Sequence, residues 1–300
     1  GWVLGNEVWG LLKHGYGEPY LTRVRLAYVR FVQRLAARIE ELDSRRPILV
    51  ALEHSRELPG AVNDHATLAP SVDVIGVNSY YRRHLERLDG TIAKLAPDRP
   101  YLITEFGPDG YWLGIEESRG GFNLPMEPTA VQKAEQYRRR WDRYVAAHRG
   151  ANLGGMAYCW RERYEGTATW FGLITRDGHL KPAYHALREA WTGQSAPIAP
   201  RITSLSGPEP PFRPGQQVTV RATVQGASPQ AQYRWQLHEP GFKPVPGTVK
   251  VGSSPESAVV RIPPQPGRYR LYLRVRDGNT LDQANLPLTV RAVGPPEQSR

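Results

Sequence analysis

Two glutamates, Glu7 and Glu105, each close a short apolar run. Gly1-Trp2-Val3-Leu4-Gly5-Asn6 leads into the first and Pro100-Tyr101-Leu102-Ile103-Thr104 into the second. Apolar runs of this length bounded by Gly, Pro and polar residues read as buried strands, so each carboxylate is carried to a strand end. Two facing carboxylates are the minimum machinery for retaining glycoside hydrolysis. One protonates the leaving oxygen while the other attacks the anomeric carbon, across about 5 Å. Their environments must differ: the acid needs a raised pKa, from burial or a nearby negative charge, and the nucleophile must stay ionised through hydrogen bonds such as one from a tyrosine hydroxyl.

The elements that would position this pair alternate. After a glycine-containing loop, Thr22 is expected to cap a helix whose apolar stripe is Val24, Tyr28, Phe31, Leu35, Ile39 and Leu42, running to Asp43. Pro47 to Leu52 is the next strand, ending at Glu53 and His54, and Val72 to Asn78 the third, ending in Ser79-Tyr80-Tyr81. Arg82 to Leu95 reads as a helix before the Glu105 strand. A long loop, Phe106 to Pro128, carries Tyr111, Trp112 and Phe122, and loops of this length are usually functional. Thr129 can cap a helix through His148, Gly154 to Trp160 is a fifth strand, and Pro182 to Trp191 a closing helix. Strand and helix thus alternate five times, which argues parallel strands with helices outside. The two glutamates lie 98 positions apart (105 less 7), or about three βα units of roughly thirty residues. Five units are too few to close an eight-stranded barrel, but in such barrels the active site lies at the carboxyl ends of the strands. Glu7, Glu105, Asn78, Tyr80 and Trp160 all fall at such ends.

The net charge of +10 comes largely from arginine. Most of these arginines lie on expected helices among core-facing residues, so they read as solvated helix faces; no nucleic-acid motif accompanies them, and no nucleic-acid partner is expected. An acidic sugar would also suit a basic surface. Cys159 is the single cysteine, which excludes an internal disulfide framework and leaves the compartment open between cytoplasm and export, with export preferred. It reads as a small buried side chain. No apolar stretch reaches the length of a membrane span. No His, Cys and Asp cluster has metal-ligand spacing, so neither metal nor cofactor is expected.

Beyond Trp191 the pattern changes. Residues 193–200 read as a Ser/Pro/Gly linker, and 201–292 as an all-β module whose strands (Gln217 to Val224, Gln232 to Leu237, Ala258 to Ile262, Tyr269 to Val275, Leu286 to Val290) are separated by turn signals such as Asp277-Gly278. Their spacing suits a sandwich. Residues 293–300 read as a disordered tail.

Gly5-Asn6-Glu7, Val72 to Tyr81 (VDVIGVNSYY), Thr104-Glu105-Phe106-Gly107 and Ala157-Tyr158-Cys159-Trp160 occur in that order, followed by Phe171-Gly172-Leu173 and Asp177 to Tyr184 (DGHLKPAY). Together they resemble the second half of a clan A glycoside hydrolase barrel, and are most similar to the catalytic domain of glycoside hydrolase family 2, which includes β-galactosidases, β-glucuronidases and β-mannosidases. The resemblance covers about residues 1–192. It implies an α/β fold, a partial (β/α)8 barrel covering about strands four to eight, and a carbohydrate substrate. Glu7 would be the acid/base at the end of strand four, with Asn6 on the sugar 2-hydroxyl, and Glu105 the nucleophile at the end of strand seven. Tyr80 would orient Glu105, Asn78 would line the pocket, and Trp160 would form an apolar floor under the sugar. Trp235 and the stretch PGRYRLYLRVRDG resemble immunoglobulin-like or polycystic-kidney-disease-like domains attached to bacterial glycosidases; no exposed aromatic row is evident in the sequence, so a spacer role is preferred over carbohydrate binding. Strands one to three are not in this sequence, so a fragment of a longer enzyme, inactive by itself, is expected.

Each assignment has a plainer counterpart. A strand-end carboxylate can simply pair with an arginine, Trp160 can be core packing, and Tyr80 and Asn78 can be structural hydrogen-bonders. His54, Glu53, Glu162 and Trp112 are singled out by no spacing and read as structural. For the whole, the alternatives to a retaining β-glycosidase are a noncatalytic carbohydrate-binding protein and a transglycosylase using the same glutamates.

Overall fold

A computed structural model of the chain describes residues 1–113, 116–119, 122–125, 127–148, 150–194, 200–240 and 242–291. Most of the expected linker and all of the tail from 293 lie outside the described residues, as do parts of the 106–128 loop and the side chain of Phe122. In chain order the elements are β1 (Trp2–Asn6), α1 (Val8–Leu11), α2 (Tyr20–Leu42), β2 (Ile48–Glu53), α3 (Leu58–Leu68), β3 (Val74–Asn78), α4 (Arg82–Leu95), β4 (Tyr101–Phe106), β5 (Glu116–Arg119), β6 (Phe122–Pro125), α5 (Ala130–Arg140), β7 (Asn152–Ala157), α6 (Pro182–Thr192), β8 (Arg201–Ser206), β9 (Gln217–Gln225), β10 (Gln232–His238), β11 (Val249–Val251), β12 (Ser257–Arg261), β13 (Gly267–Asp277) and β14 (Thr280–Val290). They group into two compact units, residues 1–110 with 136–158, and residues 111–135 with 159 onward.

The first unit is an α/β fold on a five-stranded sheet in the order β1-β2-β3-β4-β7, every pair parallel. Sequential order is the decisive feature. Each right-handed crossover then turns the same way and leaves its helix on the same face, and α2 packs on α3 and α3 on α4. A doubly wound sheet would reverse its order instead. A sheet with helices along one face only, and β3 buried along its whole length, is a segment of a barrel wall. Its two outer strands carry exposed apolar side chains: Trp2 and Val3 on β1, Leu153 and Met156 on β7.

Helix α2 departs from the sequence reading twice. It starts at Tyr20 rather than after Thr22, whose hydroxyl bonds the Glu18 carboxylate at 2.9 Å. Its buried face is Leu21, Arg25, Val29, Val32 and Ala36, whereas Phe31, Leu35 and Leu42 are exposed. The expected stripe overlooked Arg25, which is buried because both guanidinium ends donate to Glu57 at 2.9 Å and its plane lies 3.6 Å over the Trp9 ring. A paired, stacked guanidinium can occupy a core-facing position that an unpaired one cannot.

In the second unit the all-β module is a sandwich of a three-stranded sheet, β10-β13-β14, and a four-stranded sheet, β11-β12-β9-β8. Alternation along β9 buries Val218, Val220 and Ala222, and Trp235 sits in the shared core with its indole N–H on the Pro255 carbonyl at 2.9 Å. Asp277 pairs with Thr280 across a two-residue turn whose Gly278 is left-handed, as such hairpins require. Thr129 caps α5 as expected, its hydroxyl accepting from the Gln132 amide while Gln132 Oε1 accepts the Thr129 amide, a reciprocal capping box. The segment from Cys159 to α6 belongs to this unit. It is joined to β14 by backbone bonds between Leu180 and Asn279 and between Leu281 and Leu180, and by the buried Glu162, which meets Lys181 Nζ at 3.0 Å, Gln283 Nε2 at 2.9 Å and Arg274 at 3.3 Å.

Candidate active site

The carboxyl ends of the five parallel strands in the first unit deliver Asn6 and Glu7, Glu53 and His54, Asn78 to Tyr80, Glu105, and Tyr158. At the first of these the backbone is bent. Gly5 has φ +82°, the β1–β2 register shifts between Val3 and Asn6, and Glu7 itself is left-handed at φ 57°, ψ 13°. A left-handed conformation at a residue other than glycine, Asn or Asp is uncommon and is held by its surroundings. Here the Glu7 amide donates to the Ala51 carbonyl at 2.8 Å, which fixes the turn that aims the side chain.

Asn78, buried at the end of β3, links the two carboxylate-bearing strands. Its Nδ2 donates to Asn6 Oδ1 and to Glu7 Oε1, both at 2.9 Å, while its Oδ1 accepts the Thr104 hydroxyl at 2.7 Å. A carboxylate only accepts, so the amide must face Glu7 with its nitrogen, and all three of these bonds follow from one orientation. Neighbouring strands lie about 4.8 Å apart, so the ends of β1 and β3, with β2 between them, would stand about 10 Å apart in a flat sheet. The Asn78 bridge over β2 is the work of a curved sheet whose concave face gathers these side chains. Thr104 then leads directly to Glu105, which is in register with Asn78.

Glu105 receives the Tyr80 hydroxyl on Oε2 at 2.6 Å. Burial, followed by the Glu105 charge and this hydrogen bond, holds the Tyr80 phenol far above its ordinary range, so it is a donor at any physiological pH. Its ring stands edge-on to Tyr158, centroids 5.9 Å apart. Gly107 completes the arrangement: a Cβ there would meet Tyr158 O at 3.1 Å, and Tyr137 Oη and Tyr80 Cε1 at 3.3 Å.

Of the residues chosen from the sequence, Asn6 and Glu7 are therefore both hydrogen-bonded to Asn78, and Glu105 to Tyr80. Trp160 is in the second unit, three residues past the end of β7; it is 59% exposed and lies 6.0 Å from the Tyr184 ring. His54, which the sequence offers only as a structural residue, follows the end of β2. Its Nδ1 lies 2.8 Å from Ser79 Oγ and its ring stacks on His84 at 4.4 Å. Burial, then the charge of His84, pushes its pKa down to about 3, so it is a neutral imidazole in the row of strand-end side chains. Its position directly after the β2 run was the signal. Glu53 faces Lys13 at 3.4 Å, and a Cβ on Gly10 would lie 2.5 Å from its carboxylate. Among the described residues no group of three His, Cys, Asp or Glu side chains is arranged to hold a metal, and no helix is long and apolar enough to cross a membrane.

No protein-family profile and no curated protein matches the sequence. Among solved structures, Bacteroides uniformis β-glucuronidase 2 covalently bound to cyclophellitol-6-carboxylate aziridine matches with a TM-score of 0.50 and 15% identity over 97% of this chain. A calcium-binding mutant of the same protein matches with the same TM-score, identity and coverage. The chain shares the fold of part of these β-glucuronidases. It spans 34% of their length.

Proposed function

We propose that the chain carries the reacting carboxylates of a retaining β-glycosidase. Glu105 attacks the anomeric carbon while Glu7 gives its proton to the glycosidic oxygen, so the bond to the leaving group breaks as the glycosyl ester forms. Glu7, now a carboxylate, then takes a proton from water, which attacks the anomeric carbon and releases Glu105. The observation that carries this reading is the side-chain chain Glu7–Asn78–Thr104 beside the Tyr80–Glu105 bond, which ties both carboxylates to one concave strand-end surface. The Tyr80 O–H stabilises an ionised Glu105 and fixes its direction. Asn6 is assigned to the sugar 2-hydroxyl, Asn78 to the pocket wall and Trp160 to the apolar platform, since the C–H face of a sugar stacks on an aromatic ring. The fold likeness to β-glucuronidases supports a β-linked carbohydrate substrate and a family 2 origin for residues 1–192, with 201–292 as an appended immunoglobulin-like domain.

The assignment of Glu7 is tested by Glu7→Ala in the longer enzyme of which the chain is proposed to be a part. Turnover of β-glycosides with poor leaving groups should collapse, substrates with good leaving groups should be spared, and azide should restore rate as a β-glycosyl azide forms. Equal loss on all substrates without azide rescue removes Glu7 from the acid/base role.

A further inference from the structure

The strand-end row of the first unit contains a third carboxylate. Glu53 closes β2 in register with Asn78 on β3, and Asn78 is in register with Glu105 on β4. Residues paired in register on neighbouring strands point to the same side of a sheet, and so do alternate residues along one strand. Glu53 therefore shares the concave face of Asn78 and Glu105, as does Ala51, which pairs with Asn6. It is the one ionisable residue of β2, whose other members, Ile48 to Leu52, are apolar and buried.

The Glu53 carboxylate is turned towards the segment that follows Glu7. Lys13 Nζ lies 3.4 Å from its Oε2 and 3.9 Å from Glu57. Gly10 in α1 makes the room, since a Cβ there would stand 2.5 Å from the same oxygen. The lysine contact is long and the Glu53 side chain is 36% exposed, and exposed pairs of this kind add little to stability. Among the described residues Oε1 has no hydrogen-bond partner, and it is not sealed from solvent. An ionised carboxylate offers about four acceptor positions and no donor, and the lysine occupies one. A hydroxyl is the complementary group, and an O–H on a carboxylate is a charge-assisted bond about twice as strong as a neutral one.

The place of Glu53 says which part of the substrate supplies that hydroxyl. Strand β2 lies between β1 and β3, on the Glu7 side of Asn78 and away from Glu105. On the proposed mechanism the transferred sugar sits at Glu105. The leaving group starts at the oxygen that Glu7 protonates and departs through the open carboxyl ends of the strands. A carboxylate one strand from Glu7, turned towards the loop after it, meets the leaving group.

We propose that Glu53, positioned by Lys13, selects a saccharide leaving group by accepting one of its hydroxyls, which makes the substrate an oligosaccharide. The inference rests on the glycosidase reading. Its test uses the longer enzyme and compares kcat/KM for glucuronic acid, galactose and mannose, each β-1,4-linked to glucose, with kcat/KM for the cyclohexyl β-glycosides of the same three sugars. The cyclohexyl ring has the size of a sugar and none of its free hydroxyls. For the sugar that is turned over, Glu53→Ala should lower the disaccharide-to-cyclohexyl ratio about tenfold or more, a difference of at least about 1.4 kcal/mol. The isosteric Glu53→Gln keeps a neutral acceptor and should lower the ratio about fivefold, and it carries the test if Glu53→Ala does not fold. A wild-type ratio in either folded variant, even with both rates reduced, would overturn the role of Glu53 and leave the glycosidase reading standing. Hydrolysis of none of the six substrates by the wild type would overturn that reading and this inference with it.

Discussion

The Tyr80 hydroxyl donates to Glu105 Oε2 at 2.6 Å, and the phenol's proton is held there by burial and by the carboxylate it serves. Tyr80→Phe keeps the ring against Tyr158 and removes only the donor. On the proposed mechanism kcat should fall about a hundredfold, the scale for deleting one preorganised donor, with little change in thermal stability. Steady-state kinetics and a melting curve read both. An unchanged kcat would make the bond structural.

Asn78→Asp places a carboxylate oxygen where an N–H₂ now faces Glu7 Oε1 and Asn6 Oδ1 at 2.9 Å. Three acceptors then converge, and the introduced carboxylate and Glu7 can relax only by taking a proton between them. The shared folded-state pKa rises above that of the unfolded chain, so the variant should approach wild-type stability at acid pH and lose it as pH rises through the raised value. The loss near neutrality should be about 1–3 kcal/mol. Melting temperature against pH for both proteins is the measurement, and parallel curves would contradict the account.

His54 gives the opposite sign. Its pKa is depressed to about 3 by burial and His84, from an ordinary 6.5. The unfolded chain binds the proton first, so the contribution of His54 is fully present above pH 6.5 and is lost as pH falls towards 3, with a slope of up to about 1.4 kcal/mol per unit. His54→Gln should flatten the acid limb of the stability profile. An unchanged limb would show that His54 is protonated in the fold.

Much of this site was legible because strand ends are legible. Glu7, Asn78 and Glu105 each follow an apolar run, and parallel strands bring such residues to one edge whatever the distance between them in the chain. What the run cannot state is curvature, and it is curvature that lets Asn78 reach Glu7 past β2. The exposed Phe31 and Leu35 misled the reading of α2, because apolarity marks a buried face only on average, and Arg25 shows that a charge with Glu57 and Trp9 around it can replace a leucine there. His54 reads from the sequence as merely structural for a related reason: its neighbours Ser79 and His84 are near it only once the strands pair. The Glu162 cluster, assembled from Lys181, Arg274 and Gln283, has no local signature at all.

That cluster makes a stability prediction. Burial pushes the Glu162 carboxyl up, but Lys181, Arg274 and Gln283 outweigh it and hold it below the ordinary range. Lys181→Met removes the 3.0 Å partner and should cost about 3–5 kcal/mol, as breaking a buried pair does. Lys181→Met with Glu162→Gln should recover part of it. Chemical denaturation measures both, and a loss below about 1 kcal/mol would show the pair to be solvated.

The central claim is that Glu105 forms the bond to sugar. An activated 2-deoxy-2-fluoro-β-glycoside, incubated with the full-length enzyme and followed by peptide mapping in a mass spectrometer, tests it most directly. The account predicts one glycosyl label, on Glu105, absent from Glu105→Gln. Inactivation with the label on Glu7 or another residue, or labelling that survives Glu105→Gln, would contradict it.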